Sequence, residues 1–312
     1  MATHKSQFLP IFKNKEFLKL WFAQILAYVS DRITQMALFG WLIASSGRSG
    51  TEMAKITFFS LLPSFLFGQI AGAFADRFSR KTLMIVSMLF RALVVFILFY
   101  IVVSQNAHLS LIYFLIFLIG TGTSFAYPAR LSLIPSLVPV DQLQAANALS
   151  SITGMGTTFL GTYLASFLIQ HAGFSSGFIF NGVSYLLAGF IIFLICYSQP
   201  NRATIGEKEN FMESLIIGAK YLKSHKRAFN LILLSIILSF LSSFFYISLT
   251  VLAIDHFKIG TQGIGKLLTM LGTGMFVGAY LSVLLKKWIK PTYLLIVAFL
   301  LIFFTNLAFC TF

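Results

Sequence analysis

The sequence predicts an all-α membrane protein, a bundle of about nine transmembrane helices, and three observations lead there. Of the 312 residues, 58% are hydrophobic and only 10% are charged, where a soluble domain carries about 25% charged residues. No soluble fold could bury that much apolar surface. The apolar residues also come in blocks of roughly 20, the length that crosses a hydrocarbon core of about 30 Å as helix. Finally, Lys and Arg collect in alternate loops, so the net charge of +14 reads as a topology signal rather than a nucleic-acid footprint. Blocks such as Leu83 to Val103 are apolar on every face, which excludes the alternating segments of about 10 residues that build a membrane β-barrel.

The first span runs from Phe17 to Ser46; it is too long for a signal peptide, has no small-residue cleavage site and is followed by eight more. The next five are Glu52 to Ala75, Leu83 to Val103, Leu109 to Ala129, Ala148 to His171 and Phe174 to Tyr197, and the last three are Ala228 to Leu252, Gly263 to Leu285 and Pro291 to Phe312. With the amino terminus in the cytoplasm, the inside segments hold Lys5, Lys13, Lys15 and Lys19, then Arg77, Arg80 and Lys81, then Arg130, then Arg202 through Arg227, then Lys286, Lys287 and Lys290. The outside loops hold only Arg48, Lys55, Lys258 and Lys266, so the positive-inside rule sets the orientation. Cys196 and Cys310 stand alone in apolar blocks and read as small core residues, with no redox or metal spacing.

The long polar stretch after Ser198 separates six helices from three. It divides the chain into a six-helix bundle (1–198), a cytoplasmic linker (199–227) and an incomplete second bundle (228–312). Within the linker, Phe211, Leu215, Ile216, Ala219 and Leu222 have the spacing of an amphipathic helix on the membrane surface. Laying the second helix on the eighth brings Gly68-x-x-x-Gly72 onto Gly274-x-x-x-Gly278, and the same offset brings Arg80 and Lys81 onto Lys286 and Lys287. Two homologous halves follow, each with a small-xxx-small packing face that ends in a basic turn.

The run Gly72-x-x-x-Asp76-Arg77-x-x-Arg80-Lys81 between helices two and three resembles the cytoplasmic signature of the major facilitator superfamily. Ser79 replaces the usual glycine, and the second copy has Ser282 where the acid would stand. Physically, Gly72 admits a neighbouring helix, and Asp76 at a helix end can accept charge-assisted hydrogen bonds. The resemblance implies a conformational latch made of Gly72, Asp76, Arg77, Arg80 and Lys81. A second stretch, Pro128-Ala-Arg130 through Leu137-Val138-Pro139-x-Asp141 to Ala146-Asn147-Ala148-Leu149, resembles the loop between helices four and five in the branch of macrolide, siderophore and lysophospholipid exporters. This superfamily has two six-helix halves. Ending at Phe312, the chain reads as a truncated form or gene fragment, with about nine of an expected twelve helices; pairing with a second chain is the alternative.

Helix one carries Gln24, Tyr28, Asp31 and Gln35 within an arc of about 60° at 100° per residue, a polar stripe through the bilayer with Arg32 at its edge. Helix seven, its repeat partner, carries Ser235, Ser239, Ser242, Tyr246 and Thr250 at similar spacing. Both helices are expected to line a central cavity, and the resemblance implies helix four beside them, with Gln24, Tyr28, Asp31, Arg32, Gln35, Ser239 and Tyr246 as substrate- or proton-binding residues. A charge at the centre of a membrane helix costs at least about 2.5–3.5 kcal/mol on insertion scales, so Asp31 needs a reason. Desolvation favours the neutral acid and a nearby cation favours the carboxylate, a competition that lets one group couple protons to transport. The bland alternative is a structural pairing of Asp31 with Arg32, with Arg91 on helix three, or with water.

The histidines are scattered, and no HExxH, GxSxG or GxxxxGK[ST] occurs, so no enzyme, ATP-driven pump, metal site or cofactor is expected beyond a proton gradient. The resemblance implies a monomeric, multi-pass secondary transporter of a bacterial inner membrane, exporting small amphipathic molecules by proton antiport. A lysophospholipid flippase using Arg32 or Arg91 for the phosphate is one alternative; a non-transporting membrane protein or interaction subunit is the other. Lipid bilayer and a small-molecule or lipid substrate are the expected partners, and nucleic acid is not.

Overall fold

The computed structural model describes residues 10–46, 50–104, 108–196 and 291–310, with scattered helical positions between 220 and 285. A short 3-10 turn, Ile11–Lys13, leads into α1 (Lys15–Ser46), followed by α2 (Gly50–Arg77), α3 (Arg80–Val103) and α4 (Leu109–Leu137). A second 3-10 turn, Val140–Gln142, precedes a helical run Leu143–Phe193 that breaks at Gly173. The break gives α5 (143–172) and α6 (174–193), and Gly173 sits at φ 75°, a left-handed conformation that a β-carbon would strain. The last described helix, α7, is Pro291–Cys310. Among the described residues, Thr51–Arg77, Arg80–Val103, Leu109–Leu137 and Leu160–Phe193 are long and apolar enough to cross a membrane. The polar stripe of α1 lowers its hydropathy and keeps it outside that group.

The first six helices pack as a bundle. α2 lies along α4, α4 along α3, and α3 along α6, while α1 is held by both α5 and α6. The partners of α1 give the directions. Gln24 meets Ser150, Tyr28 meets Gly154 and Arg32 meets Gly161, so α5 runs parallel to α1. Thr34 meets Asn181, Asp31 meets Tyr185 and Lys19 meets Leu194, so α6 runs antiparallel. The shared core includes Phe17, Leu20, Phe39, Leu98, Phe178 and Ile192, all nearly inaccessible.

Close approach is set by glycines other than the Gly68 and Gly72 pair. A β-carbon at Gly120 would lie 2.5 Å from the Ser60 carbonyl oxygen, and one at Gly182 would lie 2.6 Å from Phe96 Cζ. At Gly68, Gly72, Gly274 and Gly278 nothing described lies within 4 Å. The expected small-xxx-small contact therefore does not form among the described residues, where van der Waals packing and small residues drive helix association in lipid.

Three sequence expectations are corrected. The stretch from Pro128 to Leu137 is helix, because both Pro128 and Pro135 are accommodated inside α4, and the loop shrinks to the turn around Val138 and Pro139. Arg130 is consequently a buried residue of α4 and not a loop charge. Cys196 is exposed at the end of α6 rather than in the core, since the helix has already ended at Phe193. The linker's amphipathic helix, Ser235, Ser242, Tyr246 and Thr250, and the basic turn at Lys286, Lys287 and Lys290 lie outside the described residues.

The end of the bundle that holds the amino terminus of α1 is tied by polar side chains at helix termini. Asn14 accepts from the Phe17 amide at 3.1 Å and donates to the Leu137 carbonyl at 2.7 Å, joining the start of α1 to the end of α4. Lys19 donates to the Leu194 carbonyl at 2.8 Å, and Lys81 to the Ile195 carbonyl at 2.7 Å. Arg80 donates to the Ser132 carbonyl at 2.7 Å and to Ser136 Oγ at 3.0 Å. Cations at helix carboxyl ends satisfy orphan carbonyls and the negative end of the helix dipole. Glu16 completes the collar, bonded to Lys19 and to the Cys196 amide. Burial pushes the Glu16 carboxyl up, but its hydrogen bonds to Lys19 and the Cys196 amide, with the charges of Lys19 and Lys81, outweigh this and hold it below its ordinary value.

Candidate functional site: a polar cavity around Asp31

A cavity of about 680 Å³ opens in the bundle, within the range of sites for drug-sized ligands. Its wall is amphipathic. Leu38, Ile56, Leu61, Ile116 and Ile119 supply apolar surface, and Thr57, Ser60, Ser64 and Thr123 supply hydroxyls. Of the expected site residues, Tyr28, Asp31, Arg32 and Gln35 line it. Gln24 does not; it is buried and donates to the Ser150 carbonyl at 3.1 Å, holding α1 to α5. Residues of α1, α2 and α4 make up most of the wall, with Arg91 of α3, Gly154 and Thr157 of α5 and Asn181 of α6. Ser239 is exposed on its helix, and Tyr246 lies outside the described residues.

The chemistry is concentrated at Asp31. The Arg91 Nη2 group donates to both carboxylate oxygens, at 2.8 and 2.9 Å, and the Tyr185 hydroxyl donates to Oδ1 while accepting from Nη2. The guanidinium also lies 4.0 Å from the centroid of the Tyr185 ring. This pairing decides among the partners that the sequence leaves open, because Arg32 instead donates to Gln35 Oε1 at 3.0 Å. Space for it comes from Gly122, where a β-carbon would lie 2.5 Å from Arg91 Cγ. The two sides of the pair differ in access. The Asp31 side chain is 33% exposed, to the cavity, and Arg91 only 3%.

Further polar residues stand around this pair. Asn181 donates to Thr34 Oγ1 at 2.6 Å, and its own Oδ1 is buried without a partner among the described residues. Tyr185 and Asn181 were the residues that sequence reasoning missed. Their signal was available: four residues apart, they share one face of an otherwise apolar helix.

The latch residues separate into two groups. Asp76 and Arg77 are exposed and make no hydrogen bond or ion pair among the described residues, and Gly72 faces open space. Arg80 and Lys81 are engaged inside the bundle, on α4 and on the end of α6.

Residues 5–311 match a family described as transmembrane secretion effector. The chain belongs to the major facilitator superfamily. It is 27% identical to the uncharacterised MFS-type transporter YkuC of Bacillus subtilis (strain 168), over 96% of this chain and 73% of that one. It is 21% identical to macrolide efflux protein A of Streptococcus pyogenes, over 88% of this chain and 68% of that protein. The solved structure of the POT family transporter PepTSo superposes with a TM-score of 0.50 at 15% identity, covering 88% of this chain and 54% of that one. At that identity the likeness concerns the fold alone. The chain thus spans about half the length of PepTSo and about three-quarters of YkuC. This major facilitator chain is a multi-pass membrane protein of a transporter family, with no enzymatic relative among those named.

Proposed function

We propose that this chain is a secondary transporter that exports small amphipathic molecules by alternating access, coupled to protons through Asp31. The observation that carries the reading is the asymmetric ion pair: a carboxylate one-third exposed in the cavity, held by a guanidinium almost wholly buried in its wall. A proton or a cationic group arriving from the cavity reaches Asp31 directly and competes with Arg91 for it. When the arriving charge wins, Arg91 loses Asp31 and must change partner at the junction of α1, α3 and α6, so local charge is linked to helix packing. The apolar and hydroxyl-bearing wall suits an amphipathic solute, and the macrolide efflux relative supports export as the direction.

The six helices between Lys15 and Phe193 form one of the two rocking bodies, and residues 228–312 belong to the other, joined by the linker 199–227. On this reading the latch narrows to Asp76 and Arg77, since Arg80 and Lys81 hold their own bundle together. The test uses the full chain in proteoliposomes, with a macrolide or another small amphiphile and an imposed pH gradient. Asp31→Asn is expected to insert normally and lose gradient-driven transport. Undiminished, still proton-driven transport by Asp31→Asn would sink the coupling role.

A further inference from the structure

Three arginines lie deep in the bundle, and two have acceptors: Arg91 holds Asp31, and Arg32 holds Gln35. The third, Arg130, is 8% exposed, and its Nη1 group is buried with no hydrogen-bond partner among the described residues. No carboxylate is paired with it among the described residues. Its position, seven residues before the end of α4, places it about 10 Å inside the helix end at 1.5 Å per residue. What surrounds it is aromatic. The guanidinium carbon lies 5.4 Å from the Tyr28 ring centroid and 5.2 Å from that of Tyr127. Tyr28 is itself part of the cavity wall, so the ring beside Arg130 also faces the cavity.

A buried guanidinium without an acceptor is costly, and a cation over two ring faces recovers only part of that cost. The planar fork of donors is suited to an oxyanion, phosphate or carboxylate, which it can bind through two parallel hydrogen bonds. We propose that Arg130, framed by Tyr28 and Tyr127, is the subsite that receives the oxyanion of an amphipathic substrate. Tyr28 acts as its door: a rotation of that side chain opens Arg130 to the cavity, where the apolar wall takes the substrate's hydrocarbon part. The inference rests on the transporter reading and deepens it by giving the substrate class a charge. It also moves anion recognition away from Arg91, whose charge is already paired with the Asp31 carboxylate although its Nε lacks a partner among the described residues, and from Arg32, which donates to Gln35.

The experiment is equilibrium binding to the purified full chain in neutral detergent, with amphiphiles of one chain length. The probes are a lysophospholipid with an anionic headgroup, a fatty carboxylate, an uncharged monoacylglycerol and a quaternary ammonium, with inorganic phosphate as competitor. The wild-type chain is expected to bind the anionic amphiphiles at least about tenfold more tightly than the uncharged one. In Arg130→Gln that preference disappears while the uncharged amphiphile still binds, and Arg130→Lys retains part of it. Competition by phosphate alone would place the recognition in the oxyanion; failure to compete would place it in the whole amphiphile. Equal affinity for anionic and uncharged amphiphiles, or a preference that survives Arg130→Gln, overturns the subsite and leaves the transporter reading standing. Absence of binding by every amphiphile overturns both.

Discussion

Removing the two members of the Asp31 and Arg91 pair one at a time should have unequal effects, because their surroundings are unequal. Asp31→Ala leaves the Arg91 guanidinium, 3% exposed, with the Tyr185 hydroxyl as its remaining hydrogen-bond partner among the described residues. Stranding a buried charge costs about 3–5 kcal/mol. Arg91→Leu leaves a carboxylate that is 33% exposed to the cavity and keeps the hydrogen bond from Tyr185, so water and that hydroxyl can solvate it. The loss should then be smaller, about 1.5–3 kcal/mol, the range for hydrogen bonds to a charged group. In the double variant no charge is stranded, and replacing a buried ion pair by apolar groups is often neutral. It should be more stable than Asp31→Ala alone. Thermal unfolding of the four proteins in one detergent completes the cycle. The reasoning is refuted if Arg91→Leu is the more damaging single change, or if the two losses simply add.

Other consequences can be checked separately. At Gly120 a β-carbon meets main chain rather than a flexible side chain, so Gly120→Val should separate α2 from α4 and cost about 3 kcal/mol, whereas Gly72→Ala should change the melting temperature little. The lowered Glu16 carboxyl contributes stability that is fully present above its ordinary value of 4.5 and is lost as pH falls below that value through the folded one. The stability advantage of the wild type over Glu16→Gln should therefore shrink between about pH 6 and about pH 3.5; an advantage independent of pH would contradict the collar's electrostatics. The exposed thiol of Cys196 sits beside the collar, and in a Cys310→Ser background an impermeant maleimide should label it in inside-out vesicles only. Labelling from the opposite side would reverse the orientation.

Much of this was legible in the sequence because lipid imposes a simple rule. Every backbone group must be satisfied within its own helix, so a run such as Leu83 to Val103 has one available structure, and the observed α3 carries it from Arg80 to Val103. Asp31 was legible for the same reason, since an acid in such a run is rare enough to need an explanation. Pairing was not legible. Arg32, adjacent in sequence, is turned by the 100° step of the helix toward Gln35 one turn on, and Arg91, sixty residues away, reaches Asp31 only because Gly122 leaves room for its stem. The length of α4 was not legible for a different reason. Proline usually ends a helix in water, but within a packed bundle neighbouring helices hold the chain on course, and Arg130 is carried into the interior as a result.

That last displacement has the larger functional consequence. Read as a loop residue, Arg130 would merely add to the positive-inside count; as a residue of α4 it becomes a cation between two tyrosines, one of which faces the solute cavity. The cavity then has two poles, a carboxylate at Asp31 open to it and a guanidinium at Arg130 behind Tyr28. A solute bearing an oxyanion would be drawn to the second pole while a proton is exchanged at the first. Tyr28→Phe keeps the ring and should leave anion preference intact, whereas Tyr28→Ala removes the door and should speed both binding and release of an anionic amphiphile. Unchanged kinetics in Tyr28→Ala, measured by stopped-flow fluorescence, would show that Arg130 is reached by another route.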